Sequence, residues 1–150
     1  MPKRRTLLLI PLALGACASL PGREPLNVLL VGVESLGGEG LELRLAVKLR
    51  IQNPNDSAID YDGVSLDLEV RGWDFASGVS DARGSVPRFG EVVLSVPVSV
   101  SATAMIKQAY SAISGERGPI DFVAKGRLAG GLLGGMRFES RGRFDWPVSR

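Results

Sequence analysis

The strongest constraint on the fold is a strict alternation of apolar and polar residues in the segment 41–52. Every odd position there is Leu, Val or Ile, whereas the even positions are Glu, Arg, Ala, Lys, Arg and Gln. Successive side chains of a β-strand point to opposite faces, so a strand would give this segment one buried face and one solvated face. A helix would distribute the same leucines around its circumference. We therefore predict a strand over residues 41–52.

The same alternation recurs along the chain and predicts a mainly β protein. The further apolar sets are Val28 and Leu30 with Gly32; Val64, Leu66, Leu68 and Val70; Val92, Leu94, Val96, Val98 and Val100; Ile120, Phe122 and Ala124; and Met136, Phe138, Phe144 and Trp146. Glycine-rich turns at 37–40 and 130–135 separate neighbouring strands. The roughly 125 residues that follow position 25 are enough for one domain with a single core.

One segment has helical periodicity instead. The apolar residues of this segment are spaced so that they would share one face of a helix: Ala102, Met105, Ile106, Ala109 and Ile113. Ser101 is the expected N-cap, and Gly115 the expected left-handed end. Since one helix cannot bury its apolar stripe alone, we expect it to cover an edge or end of the sheets. The predicted fold is an antiparallel β-sandwich of the immunoglobulin or fibronectin type III kind, with about seven strands and one short α-helix.

The N-terminal segment has the pattern of an export signal. Three basic residues at 3–5 precede an apolar run at 7–14, which is shorter than the about 20 residues that a spanning helix needs. The run ends in Leu14, Gly15, Ala16 and Cys17, which resembles the bacterial lipobox. This resemblance implies cleavage before Cys17 and acylation of its thiol.

Lipidation at Cys17 predicts a protein held in the cell envelope, because two or more acyl chains anchor a protein stably. Ala18 stands where an aspartate would favour the inner membrane, so we expect the periplasmic face of the outer membrane. Export by the general or by the twin-arginine route stays open. The expected organisation is a signal peptide at 1–16, a lipidated tether at 17–26 and a β domain at 27–147.

Charge and composition exclude several classes of function. The chain has 18 basic and 16 acidic side chains, and three of the basic ones leave with the signal peptide, so the mature net charge is −1. This balance gives no support for nucleic-acid binding. The chain has no histidine, and its one cysteine lies in the lipobox, so the commonest general base and the usual zinc ligands are missing. We predict a non-enzymatic protein without catalytic residues, metal or cofactor.

The end of the clearest strand carries a motif that resembles a known family. Residues 47–55 end in Asn53, Pro54 and Asn55, and the segment 59–64 contains Tyr61 and Gly63. This pattern is similar to the late embryogenesis abundant (LEA) type 2 family, also called the water stress and hypersensitive response (WHy) domain. The resemblance covers roughly residues 27–146. It implies a folded sandwich with one helix and a role in desiccation or stress tolerance, or in lipid contact.

The Asn-Pro-Asn motif has a structural interpretation. Pro54 lacks a backbone donor and ends the strand, and it biases Asn53 towards extended geometry. Asn55 and Asp56 can cap the following turn through their side chains. We therefore interpret the motif, together with Tyr61 and Gly63, as structural.

Three hypotheses about function fit these features. The first is a lipid-anchored envelope protein that protects or assists neighbouring proteins or lipids, with Leu132 and Leu133 as candidate membrane or partner contacts. The second is a carrier or chaperone for an apolar ligand, gated either by the helix side chains Met105, Ile106, Tyr110 and Ile113 or by the tip at 132–133. The third is a subunit of an envelope complex, in which an edge strand pairs with a partner. Because the strands carry large residues at nearly every inward position, we expect no ligand-sized tunnel under the helix.

Overall fold

A computed structural model describes residues 22–37, 42–114, 118–131 and 135–144. Within these ranges the strands are β1 (Asn27–Leu36), β2 (Arg44–Gln52), β3 (Ile59–Tyr61), β4 (Gly63–Val70), β5 (Trp73–Ser80), β6 (Gly84–Val86), β7 (Glu91–Val100), β8 (Ile120–Ala129) and β9 (Met136–Phe144), and the helix is α1 (Ala102–Ile113). The expected signal peptide, the lipobox with Cys17, and Leu132 and Leu133 lie outside the described residues.

Seven of these strands form one antiparallel sheet in the order β1-β2-β7-β5-β4-β8-β9, and β3 pairs with β6 in a separate ribbon. The edge strands β1 and β9 contact each other, so the sheet curls until it nearly closes. A mainly β fold with one helix is thus confirmed for the described part of the chain. The sandwich is not confirmed, because all seven strands share one hydrogen-bonded sheet.

The pairing between β5 and β7, which we call the joint, distinguishes this single sheet from a sandwich of two sheets. These strands pair only through Ala76 with Val100 and Ser77 with Ser99, whereas β2 pairs with β7 over nine residue pairs. Without the short joint, three strands (β1, β2 and β7) would face the other four, as the two sheets of a sandwich do. Two residue pairs therefore unite the two halves into one curled sheet.

Apolar residues of the alternating strands fill the inside of the curled sheet. The fully buried side chains include Val47, Leu49, Ile51, Leu66, Val96, Val98 and Leu128. Burying such a side chain contributes about 1.5–3 kcal/mol each. The strand predicted at 41–52 begins at Arg44, and Leu43 before it is exposed.

Three observed strands, β3, β5 and β6, were not predicted from the sequence. In β5 the buried Ala76 has a small side chain and the half-buried Gly78 has none, while Val79 is exposed. The apolar alternation is therefore missing from β5, although it lies in the middle of the sheet. β3 and β6 have only three residues each, too few to show a period.

Strand pairing defines two ends of the curled sheet. Asn27 pairs with Gln52, and Gln52 pairs with Glu91. The start of β1, the loop at 53–58 and the turn at 87–90 therefore lie at the same end of the sheet. We name it the tether end. The β4–β5 turn at 71–72 and α1, which follows β7, lie at the other, which we name the helix end.

Gly78 allows the close approach of β5 to β7. A Cβ atom at position 78 would lie 1.9 Å from the carbonyl oxygen of Pro97 and 2.8 Å from the Cα of Val98. We therefore expect Gly78→Ala to lower the free energy of unfolding by about 2 kcal/mol, because backbone must move to admit the methyl group. Urea unfolding measures this change.

Gly32→Ala is the matched control. A Cβ atom there would meet only the flexible side chain of Lys48, at 3.6 Å. Its effect is expected to stay within about 0.5 kcal/mol. Equal losses in the two variants would contradict a special role for the joint between β5 and β7.

Candidate functional site

A buried amide joins three segments at the tether end. Asn53 is only 2% exposed. Its Nδ2 lies 2.8 Å from the carbonyl oxygen of Ser57, 3.1 Å from that of Pro87 and 3.3 Å from that of Val86. Its backbone N–H donates to the carbonyl of Gly90 at 2.9 Å. Asn53 therefore binds the end of β2 to the following loop and to the turn before β7.

Asn55 extends this network to the N-terminal segment. Asn53 Oδ1 accepts from the backbone N–H of Asn55 at 3.0 Å and from its Nδ2 at 2.9 Å. The side chain of Asn55 in turn forms two hydrogen bonds with the backbone of Glu24, since Oδ1 accepts at 2.8 Å and Nδ2 donates at 3.0 Å. We name Asn53 and Asn55 the asparagine clamp.

The clamp corrects one expectation from the sequence. Asn53, not Asn55 or Asp56, provides the side-chain oxygen that accepts from an amide in the turn, whereas Asn55 reaches across to Glu24. Leu26, within the segment 17–26 expected as a tether, is buried in the core. No local pattern predicts the contact between Glu24 and Asn55, because they are 31 positions apart in the chain.

The other motif residues lie near the same end. Pro54 directly follows β2 and is half-buried. Tyr61 is buried, and this burial raises the pKa of its hydroxyl above the usual value of 10.0. Gly63 begins β4, where a Cβ atom would make ordinary contacts at 3.6 Å. Of the five motif residues, Asn53 and Asn55 are thus joined by hydrogen bonds in the clamp, and the other three lie at or next to the ends of nearby strands.

A groove of about 490 Å³ lies at the helix end, between α1 and the β4–β5 turn. Its lining includes Val70, Trp73, Phe75, Ala104, Ile106 and Tyr110. The ammonium group of Lys107 lies 3.5 Å from the centre of the Trp73 ring, a cation–π contact that fixes one wall. This space is an open groove on the surface. Its volume lies in the range that ligand sites occupy, and the large inward-facing residues of the strands did not indicate a space of this size.

The helix does not present the face that its spacing predicted. Among the side chains of α1 that the structure describes, Ala104 is buried and Met105 is half-buried. Ile106 is 70% exposed, and Ala109 also faces solvent. Tyr110 is 73% exposed. Most of the predicted apolar stripe is therefore exposed to solvent. The side chain of Ile113 is not among those that the structure describes.

Backbone hydrogen bonds fix the rotation of the helix. Ser101 donates its N–H to the carbonyl of Phe75 at 3.0 Å. Ser101 Oγ accepts from the N–H of Ala104 at 3.1 Å, which confirms the predicted N-cap. With the first turn held against β5, the small side chain of Ala104 faces the core. The expected left-handed end at Gly115 lies outside the described residues.

The described ranges contain no obvious metal site. No three side chains of His, Cys, Asp or Glu in them lie close enough together to hold a metal ion, and Asp60 and Asp62 belong to no such group. No helix in the same ranges combines the length and the apolar content that crossing a membrane requires. The chemistry that these residues offer is hydrogen bonding at the tether end and apolar contact at the helix end.

Comparison with known proteins identifies relatives. The family model described as late embryogenesis abundant protein matches residues 48–143. A solution structure of a protein from Arabidopsis thaliana has 18% identity and a TM-score of 0.57, and the match covers 81% of this chain and 82% of that one. At this identity the likeness supports a shared fold alone. No curated protein sequence matches this chain.

Two further structures are similar at lower TM-scores. A crystal structure from Archaeoglobus fulgidus has 12% identity and a TM-score of 0.48, covering 81% of this chain and 100% of that one. A solution structure of a late embryogenesis abundant protein has 16% identity and a TM-score of 0.40, covering 89% and 76%.

The asparagine clamp can be tested by two substitutions. Asn53→Asp keeps the shape of the side chain but places a carboxylate oxygen against three carbonyl oxygens, so we expect a loss of about 3 kcal/mol in unfolding free energy. Asn55→Ala removes the bonds to Glu24 and is expected to speed tryptic cleavage after the neighbouring Arg23. Chemical unfolding and timed proteolysis measure the two effects.

Asp56→Ala serves as the control for both measurements, because Asp56 is exposed and adjacent to the clamp. It should change neither stability nor cleavage. If Asn53→Asp unfolded at the same denaturant concentration as the unsubstituted protein, the clamp would have no stabilising role.

Proposed function

Because this chain belongs to the late embryogenesis abundant protein family, we propose that it is a non-enzymatic, stress-related protein held by lipid in the cell envelope. The family model spans the sheet from β2 to β9. The proposed stress is desiccation or water loss, as the resemblance to the LEA type 2 and WHy domains implies. The observation that supports the proposal is that one chain carries both the match to the family model and, at residues 14–17, a segment that resembles a lipobox.

The anchor in this proposal is Cys17. Its acyl chains hold the mature protein on the periplasmic face of the outer membrane, and the asparagine clamp holds Glu24, seven residues later, to the folded body. The short distance along the chain keeps the domain near the membrane. Its partners are then other envelope proteins or lipids.

Exposed apolar side chains support a protective or accessory role through binding. The outward stripe of α1 includes Ile106 and Tyr110, and Trp73 stands beside it. Large aromatic residues that remain exposed in a folded domain favour contact with another molecule. Because they lie at the helix end, this surface is available while the tether end is held.

Lipid anchoring can be tested in cells. In Cys17→Ala we expect no incorporation of a clickable palmitate analogue and release from the membrane fraction or failure to mature, because the acceptor thiol is missing. Gel fluorescence and membrane fractionation measure both. Ser19→Ala, two residues away, is expected to label and fractionate like the unsubstituted protein. An unlabelled protein whose Cys17→Ala variant fractionates identically would refute the anchor.

The groove favours a second candidate, a carrier for an apolar ligand such as an acyl chain. Ligand sites occupy about 300–1,000 Å³ and have mostly apolar walls. The groove of about 490 Å³ meets the first condition, and Trp73, Phe75 and Ile106 contribute to the second. This candidate differs from the accessory role in requiring a bound small molecule.

Native mass spectrometry separates the two candidates. The full chain, extracted from membranes in mild detergent, is expected under the carrier hypothesis to keep one non-covalent lipid that Ile106→Asp loses, because the carboxylate makes the groove wall polar. Val79→Asp, at an equally exposed position outside the groove lining, is the control. If the unsubstituted chain and both variants all lacked bound lipid, this result would contradict the carrier hypothesis and support the accessory role.

A further inference from the structure

We propose that the tether end faces the membrane and that Phe89 contacts the lipid surface. This inference rests on the proposed lipidation of Cys17 and adds an orientation and a contact residue to it. Phe89 belongs to the turn between β6 and β7, and its side chain is 72% exposed. It is the residue of this turn whose chemistry suits the boundary between water and acyl chains.

The backbone of Phe89 is held in an unusual conformation. Its φ of 50° lies in the left-handed region, which is uncommon for bulky residues. Two hydrogen bonds hold the turn: Phe89 donates its N–H to the carbonyl of Asn55 at 3.0 Å, and Gly90 donates to that of Pro87 at 3.1 Å. Strained backbone that the surrounding structure maintains is often associated with function. Here the residue held in this conformation carries an exposed aromatic ring.

The asparagine clamp links this turn to the anchor. Asn55 accepts the N–H of Phe89 through its backbone and binds Glu24 through its side chain. Glu24 is the seventh residue after Cys17, and seven chain steps reach at most about 25 Å. The lipidated residue can therefore lie no farther than this from Glu24, which the clamp holds beside the turn at 87–90.

The opposite end of the sheet lies farther from the anchor. β7 runs from the tether end to the helix end over ten residues, which is about 30 Å for nine steps at the rise of a strand. A tether shorter than this length favours the tether end as the one next to the bilayer. The groove and the exposed stripe of α1 then point away from the membrane.

The chemistry of the turn agrees with a lipid surface as its partner. Arg88, next to Phe89, is also exposed and offers a guanidinium to lipid phosphates. The nearby carboxylate of Glu91 accepts a hydrogen bond from Gln52 at 3.0 Å and lies 3.7 Å from the Nε of Arg50, which reduces its repulsion of phosphate. An aromatic ring beside a cation is typical of contacts at the membrane interface.

Fluorescence of a polarity-sensitive label tests this orientation. The lipidated full chain carrying Phe89→Cys is labelled with a nitrobenzoxadiazole maleimide and reconstituted in phosphatidylethanolamine–phosphatidylglycerol vesicles. We expect a severalfold rise in emission, a blue shift and quenching by headgroup-labelled lipid. The matched control is Ala109→Cys, an exposed position on α1 at the helix end, which should keep the emission of water.

The outcomes separate this inference from the proposed lipidation. If Cys17 kept its thiol, mass spectrometry would find two labels, and the lipidation itself would fail. If one label were present on a vesicle-bound protein and position 89 behaved like position 109, the orientation would be overturned. The lipid contact would equally be overturned if the emission at position 89 changed only after another envelope protein was added to the vesicles.

A second variant tests whether the ring has only a structural role. Phe89→Gly relieves the left-handed conformation and removes a side chain that is mostly in solvent. Its melting temperature is expected to equal or exceed that of the unsubstituted protein. A marked fall in melting temperature would show that the fold needs the ring, and this result would contradict the proposal.

Discussion

The side-chain amide of Asn53 holds together the segments that meet at the tether end. Its Nδ2 bonds to the loop after β2 and to the turn before β7, and its Oδ1 orients Asn55. A buried amide in this position is costly unless all its polar atoms find partners, so the loops are constrained to supply them. The position of the N-terminal segment and the conformation at Phe89 both depend on this arrangement.

The two ends of the curled sheet differ in their chemistry. The tether end is organised by backbone and amide hydrogen bonds, which fix geometry, whereas the helix end exposes aromatic and aliphatic side chains around a groove. Under the proposed anchoring at Cys17, the hydrogen-bonded end would lie next to the membrane. The apolar surface at the helix end would then face neighbouring molecules or ligands.

The strands with clear alternation were predictable, and the connections between them were not. In β2 and β7 the period of two identifies the buried faces, because large side chains must leave water. β5 escaped detection because a close approach of two backbones requires small residues such as Gly78. The helix was predicted, but most of its expected apolar face is exposed. Its first turn is bonded to β5 through Ser101 and Phe75, and Ala104 is the residue there that enters the core.

The sequence by itself determined a single antiparallel β domain with one helix and a family motif at a strand end, because periodicity and propensity are local properties of the chain. Only the tertiary structure decided that the sheet curls into one piece, that Asn55 holds Glu24, and that the apolar stripe of α1 faces outwards. These features depend on contacts between residues far apart in the chain. Loop closure and packing select them, and no local pattern encodes either.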